Sequence, residues 1–587
     1  MIRISVVIPT YNRRAVLERT LAAVLAQEFA ADAYEVVVAV DGATDGTVEM
    51  LRALKSACAL QVLELPNRGA GAARNAAVRA ARGELVLFLD DDLMCPPDLL
   101  RLHAEAHRDG EASVVHGPIY VAEESAPTMI RAAIEQVYEA YYRPLDPATT
   151  LRWPEPIDNA ISVVSSLVNS SMPRAALEQC GGFDEKIRAS EDLELGIRLW
   201  KQGCVFRQLP QAAVRELFVK RSRAYLRGQA RAAAIGDLYA SRKHPEFRPI
   251  CRLAALGKTQ SWKKLLAKCP ASPVPLLAFP LRFERLMYGV KPLRRAGMRL
   301  LRLAEQVTVL RTAAKAAGGW AQLESEFGAR CPVLLYHHVG PHREGTYRSL
   351  SVTAEQFARQ MEWLVRHGYT GITPRVWLEW LRTGKGLPKK PVMVTFDDSY
   401  ADIAEFALPV LHRLGLGGAV YAVTGRLAAT NTWDEAEGSG TFALMTAETV
   451  REWAAKGIEF GGHSRTHAHL PQISAEACRE ELAGSKSDLE AIIGGEVASF
   501  AYPYGQFNES VVEQTRGVYG MAFSTVEGMN TLATDRHLLR RLYVGPSQTL
   551  MEFGWNVRRG SRSRWMDDLR VKLGLRTRMK RILGRSR

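Results

Sequence analysis

The stretch VTFDDSY sets two adjacent carboxylates, Asp397 and Asp398, directly behind an apolar run. A carboxylate at the end of a buried strand is costly unless a cation or hydrogen-bond donors meet it. Further on, GGHSRTH places His463 and His467 four positions apart. On a helical turn that spacing puts two imidazoles on one face, where both can meet one ion. One aspartate then completes the ligand set and leaves an open position. Its neighbour stands beside a water as its base.

The chain repeats the form near its other end. LVLFLDDDL sets Asp90, Asp91 and Asp92 behind an apolar run, Asp41 follows EVVVAV, and Glu191 and Asp192 open EDLELGIRLWKQG. A divalent ion bridging a diphosphate is one way to compensate such acids. Helix capping is the plain alternative, since Asp is a favoured cap. Three acidic features in order make capping alone a poor account.

These residues need strand ends to hold them. ISVVIP, EVVVAV, LQVLEL and LVLFL read as strands, with RRAVLERTLAAVLAQEF and GAGAARNAAVRAAR as the helices between them. Such alternation predicts a mostly parallel α/β sheet with ligands at its carboxyl ends. A helical, Arg-rich stretch follows. The alternation resumes with PVLLYHHV, PVMVTFDD, GAVYAV, IEFGGHS, ASFAYPYG and MAFSTV. The expected organisation is an α/β domain over 1–215, a basic helical connector over 216–328, a second α/β domain over 329–550 and a basic amphipathic tail over 551–587.

Composition narrows the classes. At 587 residues the chain exceeds one core, and 47% hydrophobic with 24% charged residues is ordinary for globular protein. Eight scattered cysteines without a C-x-x-C pair argue against a disulfide scaffold and suit a reducing compartment. The net charge is +14, and from Val557 onward twelve Lys and Arg face two Asp, a local +10. Basic segments interleaved with Leu, Met, Trp and Phe suit an anionic membrane surface. Nucleic acid is disfavoured, because no binding motif or aromatic platform accompanies the charge. The best apolar candidate, PVPLLAFPLRF, is short and holds three prolines, so a spanning helix is not expected.

VVIPTYNR, VDGATDGT, NRGAGAARN, FLDDD, MPRAALEQCGGFDE and SEDLELGIRLW, in that order, resemble the inverting family 2 glycosyltransferases of the GT-A, Rossmann-like fold. The resemblance spans roughly residues 3 to 210. It implies that Thr10, Tyr11 and Asp41 lie near a nucleotide, that Asp90 and Asp92 form the D-x-D pair, and that Asp92 binds Mg or Mn. It also makes Asp192 the catalytic base. Arg68, in the NRG turn, is placed to reach the phosphates. Val40 stands where the family usually carries a second acid.

TFDDSY, HSRTH and FAYPYG resemble the family 4 carbohydrate esterases, the polysaccharide deacetylases, over roughly residues 331 to 545. The implied fold is a distorted (β/α) barrel. The implied roles are Asp397 as base, Asp398, His463 and His467 as ligands of zinc or a similar divalent metal, and Tyr504 beside an acetyl pocket. Two departures stand out. Ala501 occupies the place of an arginine that usually holds the base. The expected Leu-x-His reads Leu539, Arg540, Arg541, leaving His537, His469 and His337 as candidate proton donors.

The combined expectation is a bifunctional cytoplasmic enzyme, peripheral at the inner face of the plasma membrane. One site transfers sugar from a nucleotide-sugar donor to a glycan or lipid-linked acceptor. The other removes an N-acetyl group, the alternative being an esterase-like domain that only binds glycan.

Overall fold

A computed structural model describes residues 2–108, 110–111, 113–142, 150–151, 167–217, 220–341, 349–433 and 441–561. The chain forms two compact units. The first comprises Met1–Leu253 with Thr259–Gln322, the second Ala254–Lys258 with Leu323–Arg587.

The sheet of the first unit contains β1 (Ile4–Thr10), β2 (Tyr34–Asp41), β3 (Ala59–Leu65), β4 (Leu85–Phe88), β5 (Ser113–His116), β6 (Thr150–Leu151), β7 (Ser170–Pro173) and β8 (Val205–Gln208). Their order is β3-β2-β1-β4-β7-β5-β8-β6. The first four are mutually parallel, whereas β7 runs antiparallel to both β4 and β5. Every residue of β1, β2 and β4 is buried. Two-sided burial is why these strands read as unbroken apolar runs, not as alternation. Register aligns their carboxyl ends, with Thr10 opposite Val40 and Val7 opposite Phe88. Thr10, Asp41 and Asp90–Asp92 therefore emerge at one edge of the sheet.

Residues 216–253 and 259–322 of the expected connector fall within this unit. The reason is a shared core. Met129 and Ile130 cluster with Leu226, Ala278, Leu281, Met298 and Leu301. The last two lie on the long helix Lys291–Ala317, against which Ser261–Lys268 and Glu284–Gly289 also pack.

The second unit is built on parallel strands β9 (Val333–Tyr336), β10 (Thr370–Gly371), β11 (Pro391–Phe396), β12 (Gly418–Ala422), β13 (Glu459–Gly462), β14 (Ser499–Ala501), β15 (Met521–Phe523) and β16 (Leu542–Tyr543). The order is β15-β14-β13-β12-β11-β9-β16, with β10 on the start of β11. Leu539 bridges to Phe523 on β15 while β16 pairs with β9, so the short segment 539–543 touches both edges of the sheet. That near-closure fits the expected distorted barrel.

No helix among the described residues is long and apolar enough to cross a membrane. A capped helix, Leu550–Arg559, begins the basic tail. Residues 562–587 lie outside the described set, as does most of the tail reading.

Candidate active sites

In the second unit β11 delivers Asp397 and Asp398 to its carboxyl end, both buried. Asp398 Oδ1 lies 3.3 Å from His463 Nε2 and 3.2 Å from His467 Nε2. His463 Nδ1 pairs with the Ala501 carbonyl at 2.7 Å, so Nδ1 carries the proton and Nε2 presents a lone pair. A lone pair aimed at a carboxylate oxygen is repulsive unless a cation or proton lies between them. Two imidazole nitrogens and one carboxylate oxygen are a zinc-type donor set. The residues fit a divalent ion, and these are the one such group among the described residues.

The two histidines do not share a helical turn, as their spacing suggested. β13 ends at Gly462, and the imidazoles converge from a loop in which Ser464 and His467 adopt left-handed backbone with φ of 60° and 62°. Asp398, Ser399 and Tyr504 do the same, at 70°, 56° and 56°. Left-handed backbone costs a non-glycine residue about 1 kcal/mol, and such strain gathers where a site requires it.

Asp397 is held by a different device. Arg541 Nη1 and Nη2 donate to its two oxygens at 2.6 and 2.8 Å, while Arg541 Nε donates to the Ser524 carbonyl at 3.0 Å. Burial alone pushes the Asp397 carboxyl up, but Arg541, His463 and His337 together hold it below the usual carboxylate range. It is ionised at neutral pH, as a base for water must be.

In the first unit the acids meet guanidinium groups. Buried Arg74, on the helix Ala70–Ala80, reaches Asp90 at 2.8 Å, Glu191 at 3.2 Å and Asp192 at 3.4 Å. Arg13 pairs with Asp91 at 2.8 Å and Asp92 at 2.7 Å, and the Thr10 hydroxyl donates to Asp91. Asp90 and Asp92 thus turn to separate arginines. Burial, with Glu191 and Asp90 nearby and Arg74 opposing, pushes the Asp192 carboxyl up to about 7. Asp41 accepts the backbone N–H of Arg68 at 2.8 Å and of Gly69 at 2.9 Å, which folds the NRG turn over the end of β2.

The family descriptions "Glycosyl transferase family 2" and "Glycosyl transferase family group 2" match residues 5–161 and 85–290, and "Polysaccharide deacetylase" matches 384–520. The chain carries a glycosyl transferase family 2 domain and a polysaccharide deacetylase domain. Both belong to enzyme families, one of transferases and one of N-deacetylases.

Relatives divide the same way. The Bacillus subtilis (strain 168) protein YxkH, which bears a polysaccharide deacetylase name, is 26% identical over 40% of this chain and 78% of its own. Validoxylamine A glucosyltransferase of Streptomyces hygroscopicus subsp. jinggangensis (strain 5008) is 33% identical over 34% of this chain and 52% of its own, so the chain spans about half that relative's length. Poly-beta-1,6-N-acetyl-D-glucosamine N-deacetylase of Staphylococcus aureus (strain MSSA476) is 24% identical over 34% of this chain and 69% of its own.

Within the deacetylase domain the expected proton donors separate. His537 is buried, its Nε2 2.9 Å from the Tyr519 carbonyl, and burial lowers it to about 4. His469 stacks on Tyr504 at 4.0 Å, and Tyr504 meets His467 edge-on at 4.3 Å, so both line the rim of the ligand cluster. His337 lies within electrostatic reach of Asp397 and Asp398. Trp433 stacks on His467 at 4.7 Å. In the transferase domain Tyr11 is exposed beside the site, and Arg68 is ion-paired with Glu185 at 2.7 Å.

Sequence reasoning passed over Arg13, Arg74 and Arg541. Two carry a local signal, since Arg13 directly follows TYN and Arg74 sits one turn inside the helix after a glycine turn. Arg541 carries none, because only the barrel's closing segment brings it to Asp397.

Proposed function

We propose that the protein is a bifunctional glycan-modifying enzyme. Its transferase domain moves a sugar, with inversion, from a nucleotide-sugar to a glycan or lipid-linked acceptor, and its deacetylase domain hydrolyses the N-acetyl group of an N-acetylated sugar. The observation that carries the reading is the convergence of Asp398, His463 and His467 with an arginine-held Asp397 beside them. UDP-N-acetylhexosamine is the donor that lets both domains serve one glycan, since transfer then supplies the amide the second site removes. Fusion raises the local concentration of that intermediate.

In the transferase domain Asp192 takes the proton of the acceptor hydroxyl as it attacks the anomeric carbon. Arg74 keeps that carboxylate oriented, and Thr10, Tyr11 and Asp41 frame the nucleotide. Mg or Mn is the ion this reading assigns to Asp92, and no step depends on it. In the deacetylase domain Asp398, His463 and His467 hold a divalent ion, most simply zinc. When bound, that ion polarises the amide carbonyl and acidifies water. Asp397 removes the water's proton, its plane fixed by Arg541. The Tyr504 turn borders the space for the acyl group. The work is placed in the cytoplasm, peripheral at the inner face of the plasma membrane, where nucleotide-sugars and lipid-linked acceptors meet.

Incubation with a panel of nucleotide-sugars and acceptors, followed by mass analysis, tests the reading. A sugar increment followed by loss of one acetyl mass is expected. Transfer of a sugar without an acyl amide would end the single-glycan scheme.

A further inference from the structure

One surface of the first unit carries none of the residues assigned to either reaction. Eight of the eighteen large apolar side chains exposed among the described residues fall between Trp262 and Leu293. Six of them, Leu276, Phe279, Phe283, Leu286, Val290 and Leu293, recur at alternating spacings of three and four, with exposures from 43% to 79%. The intervening positions Ala278, Leu281 and Glu284 are buried instead, so the short helices Val274–Leu277, Pro280–Phe283 and Glu284–Gly289 turn one side inward. A soluble surface rarely concentrates large apolar groups this way unless something covers them.

Charge says what covers them. Between Ser261 and Arg299 there are nine Lys and Arg and one acid, Glu284. That acid is buried, accepting from the Met129 N–H at 3.1 Å and from the Ser222 hydroxyl. The exposed charges of this stretch are therefore all basic. Arg282 lies over the rings of Phe279 and Phe283, at 5.2 and 5.7 Å, and Lys263 lies over Trp262 at 5.6 Å. Cations stacked on exposed aromatic rings match the boundary between acyl chains and anionic headgroups, with the aliphatic stems buried and the charges at the phosphates.

We propose that residues 261–299 form an interfacial docking surface for an anionic lipid bilayer, into which Phe279, Phe283 and Leu286 insert. This deepens the peripheral-membrane part of the proposed function and does not depend on the chemistry of either site. It also moves the weight of membrane contact from the basic tail to a folded face.

The test is flotation of the full chain with vesicles of phosphatidylcholine alone and of phosphatidylcholine with phosphatidylglycerol, with both enzymatic activities read on soluble substrates. Binding to the anionic vesicles only, weakened by salt, is expected. The triple variant Phe279→Ser, Phe283→Ser, Leu286→Ser should lose about tenfold or more in binding while keeping its thermal melt and both activities. Arg282→Gln with Arg285→Gln, two exposed changes, should weaken anionic binding comparably and guards against misfolding of the triple variant. A chain ending before Trp565 should still float. The proposal is overturned if the triple variant binds as the parent does, or if removing the tail abolishes binding. It is equally overturned if light scattering shows a vesicle-free dimer that the triple variant dissolves, which would make a second copy the occupant. Failure of the parent chain to float with the anionic vesicles, both activities being intact, would sink the docking surface and leave the catalytic reading standing.

Discussion

Arg541 and Asp397 form a fully buried, two-pronged ion pair across 144 positions of sequence. The pair supplies what Ala501 cannot. The guanidinium arrives from the segment that spans the edges of the barrel, so closing the sheet and setting the base are one event. Each Asp397 oxygen accepts one N–H and keeps a further lone pair for a water.

Replacing Arg541 by Met leaves a buried carboxylate without its partner, a change worth about 3–5 kcal/mol. Asp397 is held below its unfolded value, so its stabilisation is present above about pH 3.9 and disappears as pH falls through the folded value. In Arg541→Met burial prevails and the carboxyl rises. The acid limb of deacetylation kcat/KM should therefore move to higher pH, alongside a lower urea midpoint. An unmoved limb with a lowered midpoint would make the arginine structural only.

His463→Ala removes one of three converging donors. Zinc content by atomic emission should fall from one ion per chain to near none, and deacetylation should drop at least about a hundredfold, with sugar transfer unchanged. Treatment with a chelator followed by zinc should restore the parent and not the variant.

Asp192 is poised differently, because burial raises it to about 7. Transfer should gain rate as pH rises through the neutral range, since the base must be ionised. The folded value lies above the unfolded one, so this group's contribution to stability is fullest in acid and falls as pH rises through about 7. Asp192→Asn should abolish transfer while nucleotide binding by calorimetry persists. Arg74→Met should shift the limb upward, because the nearest opposing cation is gone.

Gly461 and Gly462 precede the first ligand histidine for a steric reason. A Cβ at Gly461 would lie 2.4 Å from the Tyr421 ring, and one at Gly462 would lie 2.2 Å from the Tyr519 hydroxyl. Both neighbours are buried, and Tyr519 is bonded to Ser485 and the Leu482 carbonyl. Gly462→Ala should cost about 1–3 kcal/mol in denaturant titration and weaken metal retention, because His463 directly follows the end of β13.

The acidic and imidazole ligands were legible because their types are scarce and their positions follow strands. Parallel strands buried on both faces announce themselves as apolar runs, so Asp41, Asp90–Asp92 and Asp397–Asp398 could be placed at sheet ends directly. Their arginine partners could not. The sequence holds 77 Lys and Arg, and nothing local separates the buried Arg541 from its exposed neighbours. The spacing of His463 and His467 suited a helix equally well, and the choice of a loop rests on left-handed backbone at Ser464 and His467. The helices after residue 216 looked like a separate connector because their core partners, Met129 and Ile130, lie far back in the chain.

Trp433 stacked on His467 gives the deacetylase domain a built-in optical gauge. An indole in van der Waals range of a ligand imidazole loses emission when a paramagnetic ion such as cobalt or copper settles there, and regains it when zinc takes its place. Occupancy can thus be followed by fluorescence in the unlabelled protein, with Trp433→Phe assigning the signal among the eleven tryptophans.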